Sequence, residues 1–139
     1  MNKTFFTILS LMIGGIVFAS FGFNTAFAQS DNLVVEFQNS PLFSETNFGP
    51  GGTVTRFIKV TNNSGVSQDI AIEAINHPNP IIAEDLSRAL DIVIRQDSTD
   101  LYGGTLGNKT LFNFYEDGET LLSSVNNGQT AQYDISIIF

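Results

Sequence analysis

Beyond Gln29, apolar and polar residues alternate with a period of two, the repeat of a strand with one face in a core, rather than the 3.6 of a helix. Leu33-Val34-Val35-Glu36-Phe37 predicts a short first strand. After the Gly49-Pro50-Gly51-Gly52 turn, Val54, Arg56, Ile58 and Val60 share one face and Thr53, Thr55, Phe57 and Lys59 the other, a strong second strand. Asn62-Asn63-Ser64-Gly65 ends it, because Asn and Gly tolerate the positive φ of a tight turn. Gln68 to Asn76 alternates again, with Ile70, Ile72 and Ala74 on one face. His77-Pro78-Asn79-Pro80 then breaks the pattern, since proline donates no ladder hydrogen bond.

Ala83 to Leu90 predicts one short connector helix, with Leu86 and Leu90 on one face and Glu84 four residues before Arg88. A fourth strand follows through Ile92 and Ile94, and an Asp97 to Asp100 loop leads to Leu101-Tyr102-Gly103-Gly104. Leu111 to Tyr115 reads as a further short strand. The acidic turn Glu116-Asp117-Gly118-Glu119 precedes a strand at Leu121-Leu122, and Asn126-Asn127-Gly128 precedes the longest one, where Ala131, Tyr133, Ile135, Ile137 and Phe139 alternate with Gln132, Asp134, Ser136 and Ile138. Seven or eight short strands with regular turn signals predict an all-β fold, a jelly-roll-type β-sandwich. A weak internal echo lays Gly51–Val60 on Gly128–Ile137, which convergence on hairpin chemistry explains as well as duplication does.

The first 28 residues break this pattern. Lys3 is followed by an almost unbroken apolar or small run from Phe5 to Phe23, and Ala26-Phe27-Ala28 offers the small-x-small site of a signal peptidase. The expectation is a signal helix over 1–28, cleavage between Ala28 and Gln29, and one domain over 29–139 that works outside the cytoplasm, secreted or at the cell surface, with no membrane contact after cleavage. An uncleaved anchor is the competing use of the same stretch.

Composition narrows the chemistry. The 139 residues carry 14 acidic and 6 basic side chains, a formal net charge of −8, and removing Lys3 with the leader makes the balance more negative still. Arg56, Lys59, Arg88, Arg95 and Lys109 are scattered, which disfavours nucleic acid as a partner. With no cysteine and one histidine, disulfides, thiolate nucleophiles and the usual zinc sites lack their parts. No cofactor is expected. The one cation with candidate ligands is calcium, through Asp97, Asp100, Glu116, Asp117 and Glu119, although the spacing of an EF-hand loop is absent and acidic turns are commonly just solvated. Tyr102, Phe112, Phe114 and Tyr115 offer either a glycan platform or ordinary core and edge packing. Asn62-Asn63-Ser64 and Asn108-Lys109-Thr110 match the glycosylation sequon.

The run Gly49-Pro50-Gly51-Gly52-Thr53-Val54-Thr55-Arg56-Phe57-Ile58-Lys59-Val60-Thr61-Asn62-Asn63-Ser64-Gly65 resembles the TasA/camelysin family of exported bacterial surface proteins. Leu86-Ser87-Arg88-Ala89-Leu90-Asp91-Ile92, Leu101-Tyr102-Gly103-Gly104 and Tyr133-Asp134-Ile135-Ser136-Ile137-Ile138-Phe139 are similar to later segments of such domains. This chain is shorter and lacks long insertions between its strands.

The resemblance implies a jelly-roll structural subunit of a cell-surface or biofilm-matrix fibre, in which the segment after the leader completes the sheet of the next subunit. Here that donor segment is Gln29 to Phe43, with Val34, Val35, Phe37, Leu42 and Phe43 as apolar anchors. The partner is then another copy, with other matrix or surface proteins as further candidates. The residues leave a second arrangement open, in which Leu33 to Phe37 pairs within its own chain. A monomeric adhesin or glycan-binding module is the rival function. Camelysin is described as a metal-dependent endopeptidase, but such an enzyme ordinarily needs about three protein ligands and a base. His77 stands alone among prolines, so no enzymatic activity is expected.

Overall fold

The alternating segments form strands, and their apolar rows meet in one core. The computed structural model describes residues 27–30, 32–75 and 86–139. In chain order the elements are β1 (Phe27–Ser30), β2 (Leu33–Phe37), β3 (Thr53–Asn62), β4 (Gln68–Ile72), a 3-10 turn (Leu86–Arg88), β5 (Asp91–Gln96), β6 (Thr99–Tyr102), a second 3-10 turn (Gly104–Leu106), α1 (Leu111–Asp117), β7 (Thr120–Val125) and β8 (Thr130–Ile138). Six strands make one sheet in the order β1-β2-β3-β8-β5-β6, and β4 and β7 make a second, two-stranded sheet. Every pairing is antiparallel.

The two longest strands, β3 and β8, lie side by side at the centre of the large sheet, paired from Thr53↔Ile138 through Thr61↔Thr130. These are the two segments that echo each other in sequence. In space they are antiparallel partners. Their inward rows bury Ile58 and Val60 from β3 and Ala131, Tyr133, Ile135 and Ile137 from β8, joined by Ile92 and Ile94 from β5. Ile70 from β4 and Leu122 and Val125 from β7 complete the same cluster. Each Ile, Val or Leu among them contributes roughly 1.5–3 kcal/mol when fully buried.

Three local expectations are corrected. Leu111 to Tyr115 is helical, not a strand, because Thr110 caps it. Thr110 Oγ1 accepts from Asn113 N at 3.2 Å, and Thr110 N donates to Asn113 Oδ1 at 3.0 Å, a reciprocal capping box. The Phe112-x-Phe114 spacing imitates strand alternation, while Leu111 and Phe114, three apart on a helix, are the pair that faces the core. Gly118, at φ 68°, ends the helix. Of the connector helix expected over Ala83 to Leu90, the described part is the 3-10 turn Leu86–Arg88; residues 83–85 lie outside the described residues. Finally, the loop expected over Asp97 to Asp100 is shorter, since Thr99 and Asp100 already belong to β6. Asp97, at φ 55°, makes the turn.

The third strand is shorter than its alternation, stopping at Ile72. Of the signal helix expected over 1–28, residues 1–26 lie outside the described residues, as does His77, while Phe27 and Ala28 belong to β1 rather than to a helix. The expected cleavage point between Ala28 and Gln29 lies within β1, whose backbone pairs Ala28 with Val35 and Gln29 with Val34.

Candidate functional site

Among the described residues the second sheet has two strands where the first has six, and beside it lies a cleft of about 1190 Å³ with a predominantly apolar lining. Its floor is the inward row of the large sheet, including Ile58, Val60, Ile92, Tyr133 and Ile135. Leu122 of β7 and five successive residues, Ile70 to Ala74, border it from the side of the small sheet. Successive side chains of a strand point to opposite faces, so the run Ile70, Ala71 and Ile72 means that the edge of β4, and not merely its inner face, borders the space, and Glu73 and Ala74 continue that border beyond the strand.

The N-terminal segment forms the remaining wall. Of the five donor-strand candidates, Val35, Phe37, Leu42 and Phe43 line the cleft, each half-buried. Val34 occupies the opposite face of β2, where its register partner is Thr61. Leu33 is a further anchor, missing from the five expected in the sequence. It sits two residues before Val35, so the period-two rule alone identifies it. In this single chain β2 pairs with its own β3, from Leu33↔Asn62 to Phe37↔Ile58.

The connection from β2 to β3, residues 38–52, is irregular but fastened at both ends. Gln38 N donates to Phe57 O at 3.1 Å and Phe57 N donates to Gln38 Oε1 at 3.0 Å, extending the β2–β3 pairing by one step. Arg56, on the core-facing row of β3 between Val54 and Ile58, forms an ion pair with Glu45. With its amide oriented to suit both neighbours, Asn39 accepts from Arg56 Nε at 3.0 Å and donates to Gln38 O at 2.8 Å. At the far end Phe48 stacks on Phe139 with ring centroids 6.2 Å apart, and Gly51 N donates to Phe139 O at 2.6 Å.

No protein-family model, curated protein or solved structure matches this chain.

The other candidate residues are engaged elsewhere. Asp100 is a buried carboxylate that accepts from Thr105 N at 2.7 Å, from Thr105 Oγ1 at 2.8 Å and from Arg95 Nε. The two Thr105 bonds, with Arg95 beside them, hold its pKa down from 3.8 to about 2. Asp117 accepts from Lys109 Nζ and from the Tyr102 hydroxyl, each at 2.7 Å, and the Lys109 bond leads in lowering its pKa. Burial, reinforced by Asp117, pushes the Tyr102 hydroxyl well above its ordinary 10. Asp100 and Asp117 thus each answer a cation of the chain itself. Among the described residues no three His, Asp or Glu side chains gather where a metal ion would sit.

The aromatic candidates divide. Tyr102 and Phe114 are buried and meet edge to face at 5.2 Å, while Phe112 carries the Arg88 guanidinium 3.5 Å from its ring centroid. Tyr115 borders the cleft. Of the two sequons, Asn62 is fully buried, with Nδ2 donating to Val66 O and Val125 O and Oδ1 accepting from Ser64 N, whereas Asn108 is exposed.

Proposed function

We propose that this chain is an exported structural subunit of a cell-surface or biofilm-matrix fibre, a jelly-roll-type sandwich whose N-terminal segment completes the sheet of the next copy. The observation that carries this reading is the attachment of β2. It lies between β1 and β3 in the large sheet, lays Leu33, Val35 and Phe37 along an apolar cleft, and is linked covalently to β3 through the irregular connection 38–52, so that β1 and β2 can leave β3 together. A strand held in this way is exchanged between copies at low cost, because the same hydrogen bonds and the same buried side chains re-form in trans. The unpaired N–H and C=O groups of β3, uncovered when β2 leaves, would template the incoming strand.

The order of turn and strand motifs that resembles the TasA/camelysin family supports the same reading, as does the apolar run of the leader for export. The absence of cysteine from the whole chain leaves burial and strand pairing to hold such an assembly together.

Introduced cysteines test it directly, since the natural chain has none. Val34 and Thr61 face each other across β2 and β3. Two single variants of the secreted chain, Val34→Cys and Thr61→Cys, are mixed, incubated and mildly oxidised. The expected result is filaments by electron microscopy and, by mass spectrometry, a disulfide joining the substituted position 34 of one chain to the substituted position 61 of another. Monomeric particles with no mixed disulfide, even after the two variants are unfolded and refolded together, would sink the proposal.

A further inference from the structure

A guanidinium on the core-facing row of a strand is costly unless its donors are met. Arg56 is such a group. Val54 precedes it and Ile58 follows it on the same face of β3, yet its side chain is 23 % exposed and its bonds end within the chain. Nη1 donates to Thr55 O at 2.9 Å and Nη2 to Glu45, and with the Asn39 amide turned to present its oxygen, Nε donates to Asn39 at 3.0 Å. Two of these three partners, Asn39 and Glu45, belong to the connection that follows β2. Asn39 lies two residues after Phe37 and Glu45 two residues after Phe43, so the fork of Arg56 holds the chain on both sides of Leu42 and Phe43.

We propose that Arg56, gripping Asn39 and Glu45, is a latch that sets the rate at which the N-terminal strand leaves its own β3 for another copy. The inference rests on the strand-exchange reading above and adds the step that controls it. While the latch is closed, Gln38 stays paired with Phe57 and β2 is continuous with a fastened connection. Opening it frees residues 38–45 together, and only then can β2 peel from β3 without dragging the connection across the cleft. Phe48 and Gly51, anchored on Phe139, stay in place as the pivot. The fastening is placed where it delays assembly without weakening the assembled sheet, because an exchanged strand meets the same β3 and the same Arg56 in the next copy.

The experiment follows the mixed disulfide between Val34→Cys and Thr61→Cys chains over time, with the two cysteines on separate chains and the remaining sequence varied. Glu45→Gln removes the charge from the pair and keeps the side-chain shape. The pair is partly exposed to solvent, which makes the expected acceleration about two- to fivefold. Arg56→Lys, which keeps the charge and loses the fork, is expected to fall between wild type and Arg56→Ala. Thr110→Ala serves as the control, since it weakens the fold at the α1 cap, away from the connection, and is expected to leave the rate unchanged.

Equal rates for wild type and Glu45→Gln overturn the latch and leave strand exchange standing. Acceleration by Thr110→Ala as large as by Glu45→Gln overturns it too, because general loosening then explains the effect. If no background gives the mixed disulfide, even after joint refolding, the exchange reading fails and the latch fails with it.

Discussion

The side chain of Asn62, at the end of β3, donates to the backbone carbonyl of Val125, at the end of β7, at 2.7 Å, and no part of Asn62 is exposed. This bond joins the large sheet to the small one. The same amide donates to Val66 O at 2.8 Å, its oxygen accepts from Ser64 N at 2.9 Å, and its backbone N donates to Gln129 O at 3.0 Å. One residue therefore fixes the turn that ends β3 and positions the turn that begins β8.

Replacing Asn62 with Ala strands the buried carbonyl of Val125 and the groups around it. The expected loss is about 2–3 kcal/mol, since each unmet buried polar group costs about 1–3 kcal/mol. Equilibrium denaturation in urea measures it. A loss below about 0.5 kcal/mol would mean that water replaces the amide.

Gly103 follows β6 with φ +67°, and a Cβ built there would stand 2.2 Å from the carbonyl oxygen of Ile92. Neither the backbone conformation nor the contact suits another residue. Gly103→Ala is expected to cost more than about 3 kcal/mol, which thermal unfolding reads as a large drop in Tm. The same substitution at Gly128, also at positive φ but with open space around it, should cost less.

The helix α1 depends on its cap. Thr110→Ala removes the acceptor for Asn113 N and is expected to cost about 1 kcal/mol, with Thr110→Ser recovering most of it. Chemical denaturation of the three proteins side by side decides this.

The pH dependence follows from Asp100. Its pKa is lowered in the folded chain to about 2, against an ordinary 3.8, so the stability it contributes is fully present above about pH 4 and is lost as the pH falls through about 2. Asp117, also lowered, works in the same direction. Thermal melts from about pH 5 down to about pH 2 are expected to show Tm falling across the acid range, with a shallower fall in Asp100→Asn. An Asp100→Asn protein that follows the wild-type curve would remove Asp100 as a cause.

Much of the large sheet can be read along the chain, and the helix shows where such reading fails. Val54, Ile58 and Val60 repeat at a spacing that only a strand places on one face, and the Asn62–Gly65 turn stops it by local sterics, so sequence and structure agree. Leu111-Phe112-Asn113-Phe114-Tyr115 fits either period over so short a stretch. The Thr110-x-x-Asn113 cap, present in the sequence, decides it for the helix. The cleft is less legible. Val35, Phe37, Leu42 and Phe43 are apolar candidates without an address, and only folding brings them to the same cleft as Ile70 and Leu122, far away in the chain.

Local backbone geometry is why the alternation and the turns were determined along the chain alone: a strand shows its faces every second residue whatever it pairs with. Partners are chosen by competition among distant segments. Folding therefore decided that β3 lies beside β8, that Asp100 answers Arg95 and Thr105, and that the guanidinium of Arg56 closes on Glu45. Each of those choices depends on which buried charge or apolar row is left unmet when every other strand has found its place.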